Sequence, residues 1–393
     1  MPKVGTARAV MERAFGPTRA ISAPASETTD ERGLLGAYAL QRPERVVARV
    51  LDHASTTAFC ELSRRQDVLE SLAMLPGAAA RALERTEAAL ARRFNVAGVE
   101  LAFGAGRSVA WHRDLATGRL FPLVPAAAMR PYEPDMEPAL LGALGRLESL
   151  IALGQGYWIA RDPRERTRCA EELVALVNEF LDENPVGYGI HWTRAGDVAL
   201  RASNIAQALR MFADAPAVRS PAFVVRALTA LAEHVAFVER QLVGAETACA
   251  AEAHTGLFLV AVLFPGLPSS RLHRTLAQRG LAEHLERAAT APEGFDLELF
   301  ALVQIVSGES QDTFGRVFRD RLARQFGAVH GPLRTSEPRP RILGESTRAD
   351  ARELASIGAI LFREPRLKRP EAPFPDDGAW LFGSAGVATF EGL

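Results

Sequence analysis

Residues 184–212, NPVGYGIHWTRAGDVALRASNIAQALRMF, hold the densest group of side chains that could do chemistry. Asn184, Pro185, Gly187 and Gly189 punctuate a loop that carries Tyr188, His191 and Trp192. Flat rings in such a loop either stack on a sugar ring or pack beneath the helix that follows. In that helix Arg201 and Asn204 stand three residues apart and share a face. Arg201 has the planar fork that grips a carboxylate through two parallel hydrogen bonds. Its structural alternative is an ion pair with Asp197, one turn earlier.

Other residues with chemical potential are more scattered. Trp111, His112, Arg113 and Asp114 fall together in a Gly/Pro-rich stretch, and either hold that stretch or touch a ligand. Arg146 lies in a helical pattern, on a solvated face or at a binding edge. His254 is a lone histidine on a helix, either a proton acceptor or a structural residue. His234 faces a helix interior by spacing and reads as packing. Cys249 reads as a small apolar residue, with no cationic neighbour to lower its pKa. Asp135, Glu137, Asp197 and Glu252 could supply a carboxylate pair for glycoside hydrolysis, though no spacing singles out two of them. No His-Glu-x-x-His spacing occurs, so neither a metal nor another cofactor is expected.

These residues must be positioned mostly by helices. Apolar residues recur at three- and four-residue spacing over 43–54, 57–74, 77–93, 135–160, 163–182, 192–213, 217–241, 247–264, 269–290, 296–306, 310–326 and 348–363. The connections are short and carry Gly or Pro. Asp162-Pro163 places Pro at a first helical position. Short loops between long helices imply antiparallel hairpins, and no fixed-period repeat marks a regular solenoid. Residues 1–32 read as a loosely ordered lead-in. The remainder, 33–393, reads as one helical domain interrupted by long loops at 98–134 and 327–347. Long loops in compact domains tend to be functional.

Composition narrows the function class. With 48% apolar residues the chain can bury a large core, and 46 Lys+Arg against 47 Asp+Glu leave a net charge of -1. That balance carries no nucleic-acid footprint, while a local group of arginines could still hold a polyanion. The three cysteines, an odd number set far apart, argue against a disulfide framework. The N-terminus lacks the apolar core of a secretory signal, and no run reaches the roughly 20 apolar residues of a membrane helix. A cytoplasmic protein without membrane contact is the expectation.

Several segments resemble, in order, the heparinase II/III family of polysaccharide lyases. WHRDLATGRLFPLV is similar to the family's Trp-His-x-Asp loop, and YWIARDPRERTRC to the hairpin that follows it. NPVGYGIHWTRAGDVALRASN is similar to the Asn-Pro…Gly-Ile-Asn-Trp…Arg signature, the most specific match. GLFLVAVLFPGL, ELASIGAILFREPRLK and AWLFG resemble later parts of the family's helical domain. The resemblance implies an all-α fold, an incomplete (α/α) toroid of antiparallel hairpins. It implies β-elimination on uronate polysaccharides, in which a base takes the C5 proton and an electrostatic partner stabilises the enolate-like intermediate. It also implies a bacterial exopolysaccharide setting, with Trp192, His191, Tyr188, Arg201, Asn204, Arg146, Trp111 and His112 near an acidic polysaccharide or oligosaccharide.

The chain departs from that pattern where the chemistry resides. The family's Asn-Asn-His stretch reads Thr247, Ala248, Cys249, Ala250, Ala251, Glu252 here. Pro292-Glu293-Gly294 is followed by FDLELFALVQIV, without the family's catalytic Tyr, and no tyrosine occurs after Tyr188. The family's Gly-Asp-x-Asp turn reduces to Gly344-Glu345-Ser346, and the sequence stops where a β-sandwich is expected. His254 is then the one substitute base in view. Loss of cooperating groups removes orders of magnitude in rate. The expectation is a lyase fold with impaired or lost catalysis, with a separately encoded β-sandwich subunit as a possible partner. The alternative is a non-catalytic glycan-binding or scaffold protein of an exopolysaccharide-processing system.

Overall fold

The computed structural model describes residues 43–52, 62, 65–73, 78–96, 99–129, 135–242, 250–287, 294–308 and 314–330. The lead-in at 1–32, Cys249, the 331–347 part of the second long loop, the helix expected at 348–363 and the closing glycine-rich segment lie outside them. The described residues begin with α1 (Pro43–Val47), a π-helical turn (Ala48–Asp52), α2 (Arg65–Ala73) and α3 (Ala78–Leu90). The hairpin β1 (Arg93–Val96) and β2 (Val99–Ala102) follows. Then come α4 (Pro138–Leu144), α5 (Ser149–Ile159), α6 (Pro163–Glu183), α7 (Ala195–Met211), α8 (Pro221–Leu242), α9 (Ala250–Leu263), α10 (Ser270–Arg287), α11 (Gly294–Gly308) and α12 (Gly315–His330).

The helices form an incomplete toroid, with an inner layer of α5, α7, α9 and α11 alternating with outer α6, α8, α10 and α12. Burial separates the layers. Residues Gly196 to Met211 of α7 are all buried, as expected of a helix covered on every side. Outer α6 buries one stripe, Cys169, Ala170, Leu173, Leu176, Val177 and Phe180, at three- and four-residue spacing. Asp162 caps α6 by accepting from Arg164 N at 2.9 Å, with Pro163 at the first position.

The inner helices run in the same direction. Asn204 Nδ2 donates to the Arg146 carbonyl just before α5, and Trp158 Nε1 at the far end of α5 donates to the Met211 carbonyl. Likewise Gly256 of α9 packs on the backbone of Ala199, while Arg210 donates to the Leu263 carbonyl. Leu200, Ala251 and Leu299 form a buried apolar trio close to the N-terminal ends of α7, α9 and α11. The N-termini of the inner helices therefore gather at one mouth of the toroid. The C-terminus of α6 reaches the same mouth, because an outer helix runs antiparallel to its inner neighbours.

Three local expectations change. The helix expected over 77–93 stops at Leu90. Arg92, at φ 51, turns the chain into β1, whose Arg93 and Val96 pair with Ala102 and Val99. The helix expected over 135–160 is two, because Leu147 at φ 58 breaks the ladder between α4 and α5. Finally, α12 continues to His330, into the expected 327–347 loop. Among the described residues Pro221–Leu242 is the helix long and apolar enough to cross a bilayer, and its apolar stripe packs within this fold.

Candidate functional site

The long loop after β2 is tied down at the mouth by one carboxylate. Glu179 of α6 accepts from Val109 N at 2.6 Å, Trp111 Nε1 at 3.2 Å and Arg92 Nη1 at 2.5 Å. Arg92 is buried, and its Nε also donates to Glu172 at 2.7 Å. Trp111 is buried with its ring edge-on to Phe180. Asp114 is fully buried and accepts from Thr117 and from Glu137 N. Trp111 and Asp114 therefore hold the loop. Half-buried His112 donates Nε2–H to the Glu183 carbonyl at 3.0 Å, since a carbonyl can only accept. Glu179 and Glu172 were not distinguishable in the sequence from the other acidic residues of α6.

The 184–192 loop is laced to this first loop. Ala126 N donates to Gly187 O and Gly189 N to Val124 O, each at 2.8 Å, flanking a bridge between Pro125 and Tyr188. Gly187 and Gly189 adopt φ of 79° and 74°, a region side chains rarely enter. The lacing leaves Tyr188 44% exposed and Leu123 51% exposed. Gly189 lies between them and the His112 ring: a Cβ there would stand 3.2 Å from Leu123 Cδ1 and 3.4 Å from His112 Cε1. Tyr188, Leu123 and His112 thus share one edge of the mouth.

Trp192 and His191 are not on that edge. Trp192 is completely buried, donating Nε1–H to the Asn184 carbonyl at 3.3 Å. His234 and Phe237 pack on its ring at 4.7 and 5.0 Å between centroids, and the Arg201 guanidinium sits 5.0 Å from the ring centre. The expected sugar platform is therefore corrected to a core side chain: no face of Trp192 is open. His191 is buried too, donating Nε2–H to the Trp111 carbonyl at 2.7 Å. Burial, then Arg201, pushes the His191 imidazole down to about 3.

Arg201 is the hub beneath the loop. Fully buried, it donates Nε–H to His234 Nε2 at 2.9 Å, Nη1–H to the Gly145 carbonyl at 3.1 Å and Nη2–H to the His191 carbonyl at 3.2 Å. Its guanidinium also lies 4.7 Å from the Phe180 ring centre. The ion pair expected with Asp197 is not formed. Asp197 instead takes Arg146 at 2.7 Å and Arg194 at 3.7 Å. Those cations hold its carboxyl below the usual range against burial, which pushes it up. Burial lowers Arg201 to about 9, so it stays cationic at neutral pH. A desolvated cation of this kind persists only where its donors are satisfied. Arg146 and Asn204 belong to the same buried network, through Asn204 Nδ2 and the Arg146 carbonyl at 2.9 Å.

Among the described residues His254, Asp197 and Asp135 each meet a different neighbour. His254 is buried against the backbone of α10, where a Cβ on Gly280 would lie 2.1 Å from its Nε2. Asp197 is occupied by arginines, and Asp135 meets Arg119 at the surface at 3.5 Å. Among the described residues no group of three His, Cys, Asp or Glu side chains could hold a metal. One acidic residue was missed. Glu148, half-buried at the start of α5, has its carboxyl raised by burial first, with Arg146 lowering and Asp197 raising it. Its position depends on the break at Leu147, which Gly145 opens by capping the end of α4.

No family model and no curated protein matches the chain. Among solved structures it is similar to heparan sulfate lyase HepC from Pedobacter heparinus, at 16% identity and TM-score 0.45, over 63% of this chain and 37% of that one. A heparinase III gene product matches at 12% identity and TM-score 0.49, over 72% and 46%. A further heparinase III matches at 13% identity and TM-score 0.43, over 84% and 45%. The chain spans less than half the length of these solved structures.

Proposed function

We propose that this chain is a heparinase II/III-like toroid of acidic polysaccharide metabolism that binds uronate glycan at its mouth with little or no β-elimination activity. The observation that carries the reading is the edge formed by Tyr188, Leu123 and His112. An exposed aromatic held by backbone hydrogen bonds on both sides loses little conformational freedom when a sugar ring stacks on it. The gathered N-termini of the inner helices favour an anionic ligand at the same mouth. The ordered motifs of residues 184–204 and 111–124 support the family reading.

Impaired catalysis is supported by what occupies the altered stretch. Ala251, within the segment that replaces Asn-Asn-His, packs into an apolar trio with Leu200 and Leu299. His254, the one substitute base, is wedged against α10. A β-sandwich partner chain laid across the mouth is part of the proposal, since the family pattern closes its cleft that way.

An array of heparan sulfate, chondroitin, hyaluronan, alginate and bacterial exopolysaccharides tests the binding. Unsaturated-uronate absorbance on the same substrates tests the chemistry. Binding without absorbance is the expected result. Rapid absorbance growth would overturn the claim of lost catalysis, and binding to none of these glycans would overturn the glycan reading itself.

A further inference from the structure

Two buried histidines lie behind the mouth: the geometry requires His234 to be neutral and offers a proton on His191 Nδ1 no acceptor. His234 donates Nδ1–H to the Ala230 carbonyl at 2.6 Å, so its Nε2 presents a lone pair, into which Arg201 Nε–H donates at 2.9 Å. A proton added at Nε2 would remove that acceptor and set a cation against the guanidinium. His191 uses Nε2–H on the Trp111 carbonyl, which leaves its Nδ1 buried without a hydrogen-bond partner. That nitrogen faces Gly145, where a Cβ would stand only 2.2 Å away. The charge that bears on His234 is Arg201 of α7; on His191 bear Arg201 and Asp197 of α7 and His112 of the long loop.

We propose that residues 184–204 form an acid-released latch: opening this segment lifts Trp192 off His234, frees His191, and takes up one proton on each imidazole. The rim bearing Tyr188 then loosens as the pH falls while the outer helices stay folded. The inference concerns how the rim is held and stands whether or not the glycan reading does.

The sign follows from the two states. In the closed state both imidazoles are depressed, by burial first and Arg201 second. In the open state they return to the ordinary imidazole value near 6.5. Below that value the open state binds more protons, so its population rises as the pH drops. Each proton contributes about tenfold per pH unit, so two contribute about a hundredfold.

Amide hydrogen exchange between pH 7.5 and 4.5, corrected for intrinsic rates, tests this on the full chain. The opening constant of 190–204 is expected to climb about a hundredfold per pH unit below pH 6 in the wild type, and about tenfold in His234→Gln. Glutamine can accept from Arg201 and donate to Ala230 without titrating. α10, exposed by global unfolding, is expected to open far less often than 190–204 at every pH. Equal slopes in wild type and variant, a flat wild-type profile, or α10 opening as often as 190–204 would each overturn the latch. If His234→Gln does not fold, the ring nitrogen shifts of wild-type His234 decide. A neutral Nδ1–H tautomer retained below pH 6 is expected, and an Nε2–H tautomer or an imidazolium at pH 6 would contradict it.

Discussion

Arg201 Nε points at His234 Nε2 from 2.9 Å, a guanidinium donating to a neutral imidazole with both side chains fully buried. The contact joins α7 to α8. Through its other nitrogens Arg201 also joins the α4–α5 turn and the 184–192 loop. A residue placed as a carboxylate clamp is thereby a structural hub, and its removal should be read in stability.

Arg201→Met leaves the Gly145 and His191 carbonyls and His234 Nε2 without their donor in the core. Each buried acceptor stranded this way costs about 1–3 kcal/mol, so a loss of at least roughly 3 kcal/mol is expected in urea unfolding. Arg201→Lys should recover little, because an ammonium cannot reproduce the fork. The double variant with His234→Leu should be less destabilised than the sum of the singles, since the two share one contact.

Acid should destabilise the whole protein in a defined window. His191 and His234 have folded-state values below their unfolded value, so their contribution is full above pH 6.5 and fades as the pH falls below it, for His191 down to about 3. At pH 5 His191 alone withdraws about 2 kcal/mol relative to pH 7.5, and His234 acts in the same direction. Asp197, also depressed, acts in the same direction at lower pH. Denaturant midpoints at pH 7.5 and 5.0 check this; an equal midpoint at both would contradict it.

Gly256→Ala probes the parallel packing of the inner layer. The added Cβ would fall 2.3 Å from the Ala199 carbonyl oxygen, a backbone atom that cannot rotate away. Pushing α7 and α9 apart is an overpacking of the kind that costs about 1–3 kcal/mol or more. Thermal unfolding should show the loss, while Gly106→Ala, with nothing within 4 Å, should show only the penalty of its positive φ.

Glu179→Gln should loosen the long loop selectively. The variant keeps an acceptor but loses the charge that binds Arg92, and its amide donors face Val109 N and Trp111 Nε1, which donate themselves. Faster proteolysis within 103–110, with the far helix α10 unaffected, is the expected outcome under limited trypsin treatment.

The helical plan was legible because its signals are local: the Asp162-Pro163 cap and the stripe of α6 lie within a few residues of what they specify. The site was less legible because its pairings are long-range. Asp197 is claimed by Arg146, 51 residues away, which no helical spacing near Arg201 reveals. The polar residues of α7 looked like a ligand-facing set, yet an inner helix has neighbours on every side, so Arg201, Asn204 and Gln207 all face protein. Trp192 was misplaced for the same reason, while Tyr188, four residues earlier, remains exposed because Gly187 and Gly189 turn the loop outward.

The central claim is that the mouth edge at Tyr188 binds acidic glycan while Trp192 supports it from within. The most direct measurement is the affinity of Tyr188→Ala for the acidic glycan that scores highest on the array, taken with its unfolding temperature. Loss of a stacked ring should weaken binding by about tenfold or more, on the order of 1–2 kcal/mol, with no change in unfolding temperature. Unchanged affinity in a folded Tyr188→Ala would contradict the account.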